Sequence, residues 1–324
     1  MASMDFRTGS AYHREPPPRT PNDTLKLSGS ICALATPFTA DASALDLDAF
    51  GRLIDHQLEG GTRALVVAGS TGEGAALESD EFVELVAFAV QRAGGRIPVL
   101  AGSGLQSTAK TVAQTRRAAA AGAAAALVVT PAYVRPTQEG LYRHFSEVAA
   151  HGGLPILLYN VPTRSACDLL PETVARLCSN AGIIGIKEAV ADAGRMQALL
   201  ALRGTDFAIL SGDDPTCSRA IAAGADGVIS VAANVVPAQM QALCERAAAA
   251  DAVAAQALDR RLAPLFEVLG IEPNPIPLKW CLHRIGFGEA VPRLPLTSLS
   301  VARQAQAETV LAALGLLEAA RATG

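Results

Sequence analysis

Only four lysines occur in the chain, Lys26, Lys110, Lys187 and Lys279, and one of them ends an apolar run. Lys187 follows Ile183-Ile184-Gly185-Ile186 and precedes Glu188-Ala189. A lysine in that setting can snorkel to the rim of a fold or pair with the neighbouring glutamate. It can also serve as an amine nucleophile. An amine attacks a carbonyl only in its neutral form, which a partly desolvated pocket favours. Such a nucleophile needs proton carriers, and hydroxyls can move protons through carbinolamine, imine and enamine stages. The candidates are Tyr159, which follows Leu154–Leu158, Tyr133 in Thr130-Pro131-Ala132-Tyr133, and the pair Ser70-Thr71 in the turn Gly69–Gly74. That glycine-rich turn lacks the lysine of a phosphate cradle. Its backbone N–H groups and two hydroxyls suit a small carboxylate better.

The elements that must carry these residues are short and aliphatic. Apolar runs occur at Ile31–Ala35, Ala64–Ala68, Ile97–Ala101, Ala126–Val129, Leu154–Leu158, Ile183–Ile186, Phe207–Leu210 and Gly227–Ile229. Each is too short for a helix and is bounded by Gly, Pro, Ser or Thr. Helical periodicity fills the gaps at Leu45–Leu58, Ser79–Arg92, Ser107–Ala121, Thr137–Ala150 and Pro171–Cys178. Ser79, Ser107 and Thr137 are candidate caps. Eight such strands alternating with helices predict an α/β fold, a (β/α)8 TIM barrel. An open doubly wound sheet would place a glycine-rich dinucleotide turn after the first strand, where the chain reads Ala35-Thr36-Pro37-Phe38. Past the eighth strand only helical patterns remain, at Val236–Ala248, Val253–Leu269, Pro277–Ile285 and Ser300–Leu317. The expected organisation is a disordered Pro-rich tail over 1–28, a catalytic barrel over 29–250 and a C-terminal helical domain over 251–324. In such a barrel the chemistry sits at the C-terminal strand ends, where Lys187, Tyr159 and the hydroxyls all fall.

Composition narrows the function classes. Half of the chain is hydrophobic, 18% is charged and the net charge is -4. A large aliphatic core is affordable to such a chain, and no broad basic surface is available for nucleic acid. No apolar stretch reads as a membrane span, and the first residues carry no apolar signal core, so the expected location is cytoplasmic. The six cysteines are scattered without a CxxC and read as reduced structural thiols. The five histidines form no metal-binding cluster, and no metal is expected.

Several motifs together resemble the dihydrodipicolinate synthase/N-acetylneuraminate lyase family of pyruvate-dependent class I aldolases. They are TPF at 36–38, GSTGE at 69–73, AGSG at 101–104, TPAYVRPTQEGLYRHF at 130–145, YNVPTRSACDL at 159–169, GIKEA at 185–189, SGDD at 211–214, GVISVAANV at 227–235 and NPIPLKW at 274–280. The similarity spans about residues 28 to 300. It implies a pyruvate imine on Lys187, proton transfer by Tyr159, and carboxylate binding and relay by Thr71 and Ser70. It also implies that Tyr133 enters the neighbouring subunit's site across a tight dimer, that the backbone at Ile229 helps place the imine, and that the assembly is a homotetramer, a dimer of dimers. No cofactor beyond the lysine–pyruvate imine is implied. Arg164, five residues after Tyr159, occupies the position where the family's synthases bind the carboxylate of aspartate semialdehyde. Sialic acid lyases and sugar-acid members usually lack it, and such an aldolase or dehydratase is the alternative function. Lysine-inhibited synthases bind lysine at the tight dimer interface. Relative to that set this chain carries Gly74, Ser79, Phe82, Gln106 and Ala132, with Lys110 where a glutamate would meet the ligand amine. Weak or absent inhibition by lysine is therefore expected.

Overall fold

The computed structural model describes residues 25–317. Most of the Pro-rich segment, and the chain after residue 317, lie outside the described residues. Eight parallel strands close into a barrel in sequence order: β1 (Gly29–Ala33), β2 (Ala64–Val67), β3 (Val99–Gly102), β4 (Ala125–Val129), β5 (Ile156–Asn160), β6 (Ile183–Glu188), β7 (Ala208–Ser211) and β8 (Gly227–Ser230). The closing pair sets Gly29 beside Gly227 and Ile31 beside Ile229. The fold is the (β/α)8 barrel expected from the strand and helix alternation.

Strand residues alternate between two apolar layers, because successive side chains point to opposite faces. Ile31, Val66, Leu100, Leu127, Leu157, Leu210 and Ile229 fill the inside of the barrel. Cys32, Leu65, Val67, Ala101, Val128, Leu158 and Ile186 face the surrounding helices. Leu27 is buried in the inner layer, so the last residues assigned to the tail by sequence plug the barrel floor.

The helices are α1 (Leu47–Glu59), α2 (Ser79–Ala93), α3 (Thr108–Ala120), α4 (Gln138–His151), α5 (Pro162–Ser165), α6 (Pro171–Leu177), α7 (Ala193–Leu200), α8 (Asp214–Ala222), α9 (Pro237–Ala248), α10 (Ala252–Leu269), α11 (Ile276–Arg284) and α12 (Val301–Ala313). The capping expectations divide. Thr137 caps α4, its side chain accepting from Gly140 N. Ser79 instead lies inside α2, which is capped by Glu78 and Glu81 in a reciprocal box. Ser107 is the N-cap of α3 without a side-chain bond. Helices α5, α7 and α8, of four, eight and nine residues, have no counterpart in the helical segments read from the sequence.

Strands β5 and β6 also end later than their apolar runs. Pro155 has no N–H to give to a ladder, so β5 starts after it and runs through Tyr159 and Asn160. Its partner β6 continues through Lys187 and Glu188. The polar residues are thus held in the sheet itself. After β8, α9 packs on β1 and β8 and completes the ring, and α10 lies on α8 and α9.

Candidate active site

Tyr159 and Lys187 are register partners on the adjacent strands β5 and β6. Both are buried, and Tyr159 belongs to the inner layer of the barrel. The Lys187 Nζ sits 4.4 Å from the centre of the Tyr159 ring, within cation–π range. The neighbouring residues on each strand, Asn160 and Glu188, point the other way. Glu188 is enclosed, accepting from Arg195 Nε at 2.7 Å, from Asn160 Nδ2 at 3.1 Å and from Val190 N at 2.8 Å. Burial pushes its carboxyl up, against the pull of Arg195. Arg195 also binds both oxygens of Asp168. Glu188 is therefore paired with arginine, and Lys187 takes part in no ion pair among the described residues. Gly212, just beyond β7, leaves room for the lysine stem: a Cβ there would lie 2.8 Å from Lys187 Cε.

The turn after β2 is compressed against the first strand. A Cβ at Gly72 would lie 2.9 Å from Leu34 O, and the Thr36 hydroxyl donates to Gly72 O at 2.7 Å. Glu73 takes a left-handed conformation with φ 51°. Glu73 N and Gly74 N close the turn on Ser70 O and Gly69 O, bonds in which the Ser70 and Thr71 N–H groups take no part. The turn buries the Thr71 side chain and leaves Ser70 exposed. Thr71 and Ser70 thus differ in setting, although the sequence treats them as a pair.

The remaining candidates occupy different positions. Arg164 lies in α5, exposed, with Nη2 donating to Asn274 O at 3.0 Å. Ile229 is buried in β8 opposite Ile31, and the turn after it is anchored by Asp214 Oδ2, which accepts from Val231 N and Ala232 N at 3.0 and 2.8 Å. Burial raises the Asp214 carboxyl, and the Lys187 charge opposes the shift. Tyr133 is 90% exposed, with φ 71°, and turns away from the protein body. It does not join the other candidates within one chain.

Sequence reasoning quoted Gly212, Asp214, Asn274, Glu73 and Lys279 within motifs but gave none of them a role at the site. Lys279 Nζ meets Glu73 Oε1 at 2.6 Å with both side chains buried, and lies 4.1 Å from the Phe38 ring centre. Burial lowers the Lys279 amine to about 8, with Glu73 opposing the shift. The scarcity of lysine marked Lys279 for attention, but nothing local signals a partner 206 residues away. A cavity of about 840 Å³ at the opposite end of the barrel, lined by Leu27, Ile183, Phe207 and Asp226, contains none of these groups.

Residues 26–314 match the Dihydrodipicolinate synthetase family. The chain is 58% identical over 295 residues to the 4-hydroxy-tetrahydrodipicolinate synthase of Stenotrophomonas maltophilia, covering 91% of this chain and 99% of that protein. It is 47% identical over 274 residues to the synthase of Pseudomonas aeruginosa, covering 85% and 94% of the two chains. Among solved structures, the chloride-inhibited dihydrodipicolinate synthase of Acinetobacter baumannii in complex with pyruvate superposes with a TM-score of 0.88 at 39% identity, covering 90% of this chain and all of that one. The lysine-bound enzyme of Cyanidioschyzon merolae gives 0.87 at 33% identity, covering 90% and 99%.

Proposed function

Because the chain belongs to the dihydrodipicolinate synthetase family, we propose that it condenses pyruvate with aspartate 4-semialdehyde to 4-hydroxy-tetrahydrodipicolinate, in lysine and diaminopimelate biosynthesis. The observation that carries this reading is a buried lysine without an ion pair among the described residues, in register with a buried tyrosine at the C-terminal rim of the barrel.

Lys187 Nζ attacks the pyruvate ketone carbon. The carbinolamine loses water and leaves an imine, whose positive nitrogen acidifies the methyl group. Removal of a methyl proton gives an enamine, and its carbon attacks the aldehyde of the second substrate. The amine of that substrate then displaces Lys187 from the former ketone carbon, closing the ring and freeing the enzyme. One water leaves and no external cofactor is consumed. Each stage moves protons, and Tyr159 carries them in this reading; its register with Lys187 on the neighbouring strand supports the role. Thr71 and the N–H groups of its turn receive the pyruvate carboxylate. Ser70, exposed on the same turn, extends the hydroxyl set. The backbone at Ile229, steadied through Asp214, borders the imine.

Arg164 binds the carboxylate of aspartate semialdehyde, for which its planar guanidinium is suited. Tyr133 completes the relay of a neighbouring subunit, and the working assembly is a homotetramer built from two tight dimers. Its 90% exposure in the single chain is the condition such sharing requires. The enzyme acts in the cytoplasm, where its six free cysteines stay reduced. No helix among the described residues is long and apolar enough to cross a membrane.

Purified protein given pyruvate and aspartate semialdehyde should form the cyclic product, and should fail to condense pyruvate with N-acetylmannosamine. Turnover only with N-acetylmannosamine or a sugar-acid aldehyde would replace this reading with the lyase alternative.

A further inference from the structure

We propose that Lys279, on α11, is a positioning residue for pyruvate: its buried bond to Glu73 fixes the carboxylate-binding turn after β2. The inference rests on the assignment of the pyruvate carboxylate to that turn. Glu73 ends the GSTGE motif and takes the left-handed conformation, φ 51°, which is uncommon for a residue with a side chain. Its own N–H and that of Gly74 close the turn on Ser70 O and Gly69 O. The Ser70 and Thr71 N–H groups take no part in that closure and are left for a ligand. The shape of the turn therefore depends on Glu73. Both oxygens of its carboxylate are held from the C-terminal segment: Lys279 Nζ donates to Oε1 at 2.6 Å and Arg293 N donates to Oε2 at 2.8 Å.

Glu73 and Lys279 are 4% and 2% exposed. Burying two charges costs hydration that their attraction only partly offsets, so an apolar pair of similar volume would serve stability as well. An ion pair adds direction instead. The Lys279 amine, 4.1 Å from the Phe38 ring centre, is aimed at one carboxylate oxygen. Arg293 reinforces the same corner. Its guanidinium lies 4.3 Å from the Phe38 ring centre and binds both oxygens of Glu81 on α2. On its other side the turn is held by the Thr36 hydroxyl, which donates to Gly72 O at 2.7 Å. The end of β1 thus grips Gly72, and α11 grips Glu73.

Burial lowers the Lys279 amine to about 8; Glu73 opposes the shift and Arg293 adds to it. The charged groups facing it are Glu73 from the turn and Arg293 from beyond α11, with Glu78 and Glu81 of α2 acting on Arg293. Below about pH 8 the amine is charged and holds Glu73; above it the charge is lost and the hold weakens.

In the full-length protein, Lys279→Met keeps an unbranched side chain and removes the charge. At about pH 6.5, where wild-type Lys279 is charged, the KM for pyruvate should rise roughly 10-fold, the scale of a lost charged hydrogen bond. The KM for aspartate semialdehyde and kcat should stay within about three-fold, because Arg164, Lys187 and Tyr159 are carried by α5, β6 and β5. The variant-to-wild-type ratio of pyruvate KM should fall toward unity as pH rises through about 8, since the wild-type protein then loses the same charge. A role confined to stability would leave that ratio independent of pH. Glu73→Gln/Lys279→Met removes both buried charges, avoids an unpaired carboxylate and should show the same loss for pyruvate. A pyruvate KM near the wild-type value in a folded variant, equal rises in both KM values, or a pH-independent ratio would overturn the inference. Should neither variant fold, a wild-type pyruvate KM that stays constant through about pH 8 would overturn it, and one that rises there would support it. Borohydride trapping of pyruvate on wild-type Lys187 separates the two readings. With an adduct present, these failures leave the aldolase reading intact; with none, both readings fall.

Discussion

At Gly212 the absence of a side chain shapes the reactive group. A Cβ there would lie 2.8 Å from Lys187 Cε and 3.0 Å from Cγ, inside van der Waals contact with the stem that carries the proposed nucleophile. Gly212→Ala should leave the barrel folded but displace the amine, lowering kcat by roughly 10- to 100-fold, since misplacement by about 1 Å is that costly. Normal kcat in a folded Gly212→Ala protein would show that the stem has room to spare. Arg164 is proposed to serve a different step. Arg164→Ala should raise the KM for aspartate semialdehyde by roughly 10- to 150-fold, the equivalent of losing about 1.5–3 kcal/mol of charged hydrogen bonding. Borohydride labelling with pyruvate should persist in that variant, and steady-state kinetics would show whether the change falls on the second substrate alone. Lys187 and Tyr159 stand out in sequence because each polar side chain directly ends an aliphatic run. Gly212 and Asn274 fall inside the motifs SGDD and NPIPLKW, but what they do there is not legible, because a steric allowance and a contact across 203 residues leave no local pattern.

Elements hold the chemistry by ending late. Strands β5 and β6 continue two residues past their aliphatic runs, so the tyrosine and the lysine sit in a hydrogen-bonded ladder. The runs themselves revealed the number, order and type of strands. They could not reveal the ends, which depend on Pro155 and on the partner strand. Helix caps were legible where a side chain bonds within its own turn, as at Thr137. They were misread at Ser79, where Arg293 from the far end of the chain grips Glu81 at 2.5 and 2.6 Å and supports a cap one residue earlier. The pairing of α3 with α4 adds a pH dependence. His144 is buried, with Nδ1 3.0 Å from Thr108 Oγ1 and Nε2 without a hydrogen-bond partner among the described residues. Burial lowers its pKa from 6.5 to about 4. The unfolded state therefore binds a proton that the folded state refuses. Its contribution is complete above about pH 6.5 and is lost as pH falls toward 4, with a loss of up to about 3 kcal/mol. Denaturant unfolding of His144→Gln and wild type across that window should show a shallower acid loss in the variant. Parallel curves would assign the acid sensitivity to other groups.

On the scale of the whole molecule, the C-terminal segment reaches back over the barrel mouth. Asn274, Lys279 and Arg293 all bond to the turn that carries Ser70 and Thr71. The periodicity of the sequence disclosed these helices as an appendage, and only the tertiary contacts connect them to the site. Tyr133 and Lys110 belong to the assembly scale. In the proposed tight dimer, the cleft that binds lysine in inhibited synthases would here present Lys110 to a cationic ligand. Two ammonium groups at about 4 Å repel by roughly 4 kcal/mol at an effective dielectric of 20, less where side chains can move apart. Activity should thus be unaffected by lysine up to about 1 mM, and a titration showing inhibition below that level would place other residues in the cleft.

The imine at Lys187 is the centre of the proposed chemistry, and trapping tests it most directly. The full-length protein is incubated with pyruvate, reduced with borohydride and digested, and the modified peptide is sequenced by mass spectrometry. One reduced pyruvyl group on Lys187, absent when pyruvate is omitted, is the predicted result. A pyruvate adduct on Lys26, Lys110 or Lys279 instead, or no adduct at all, would contradict it.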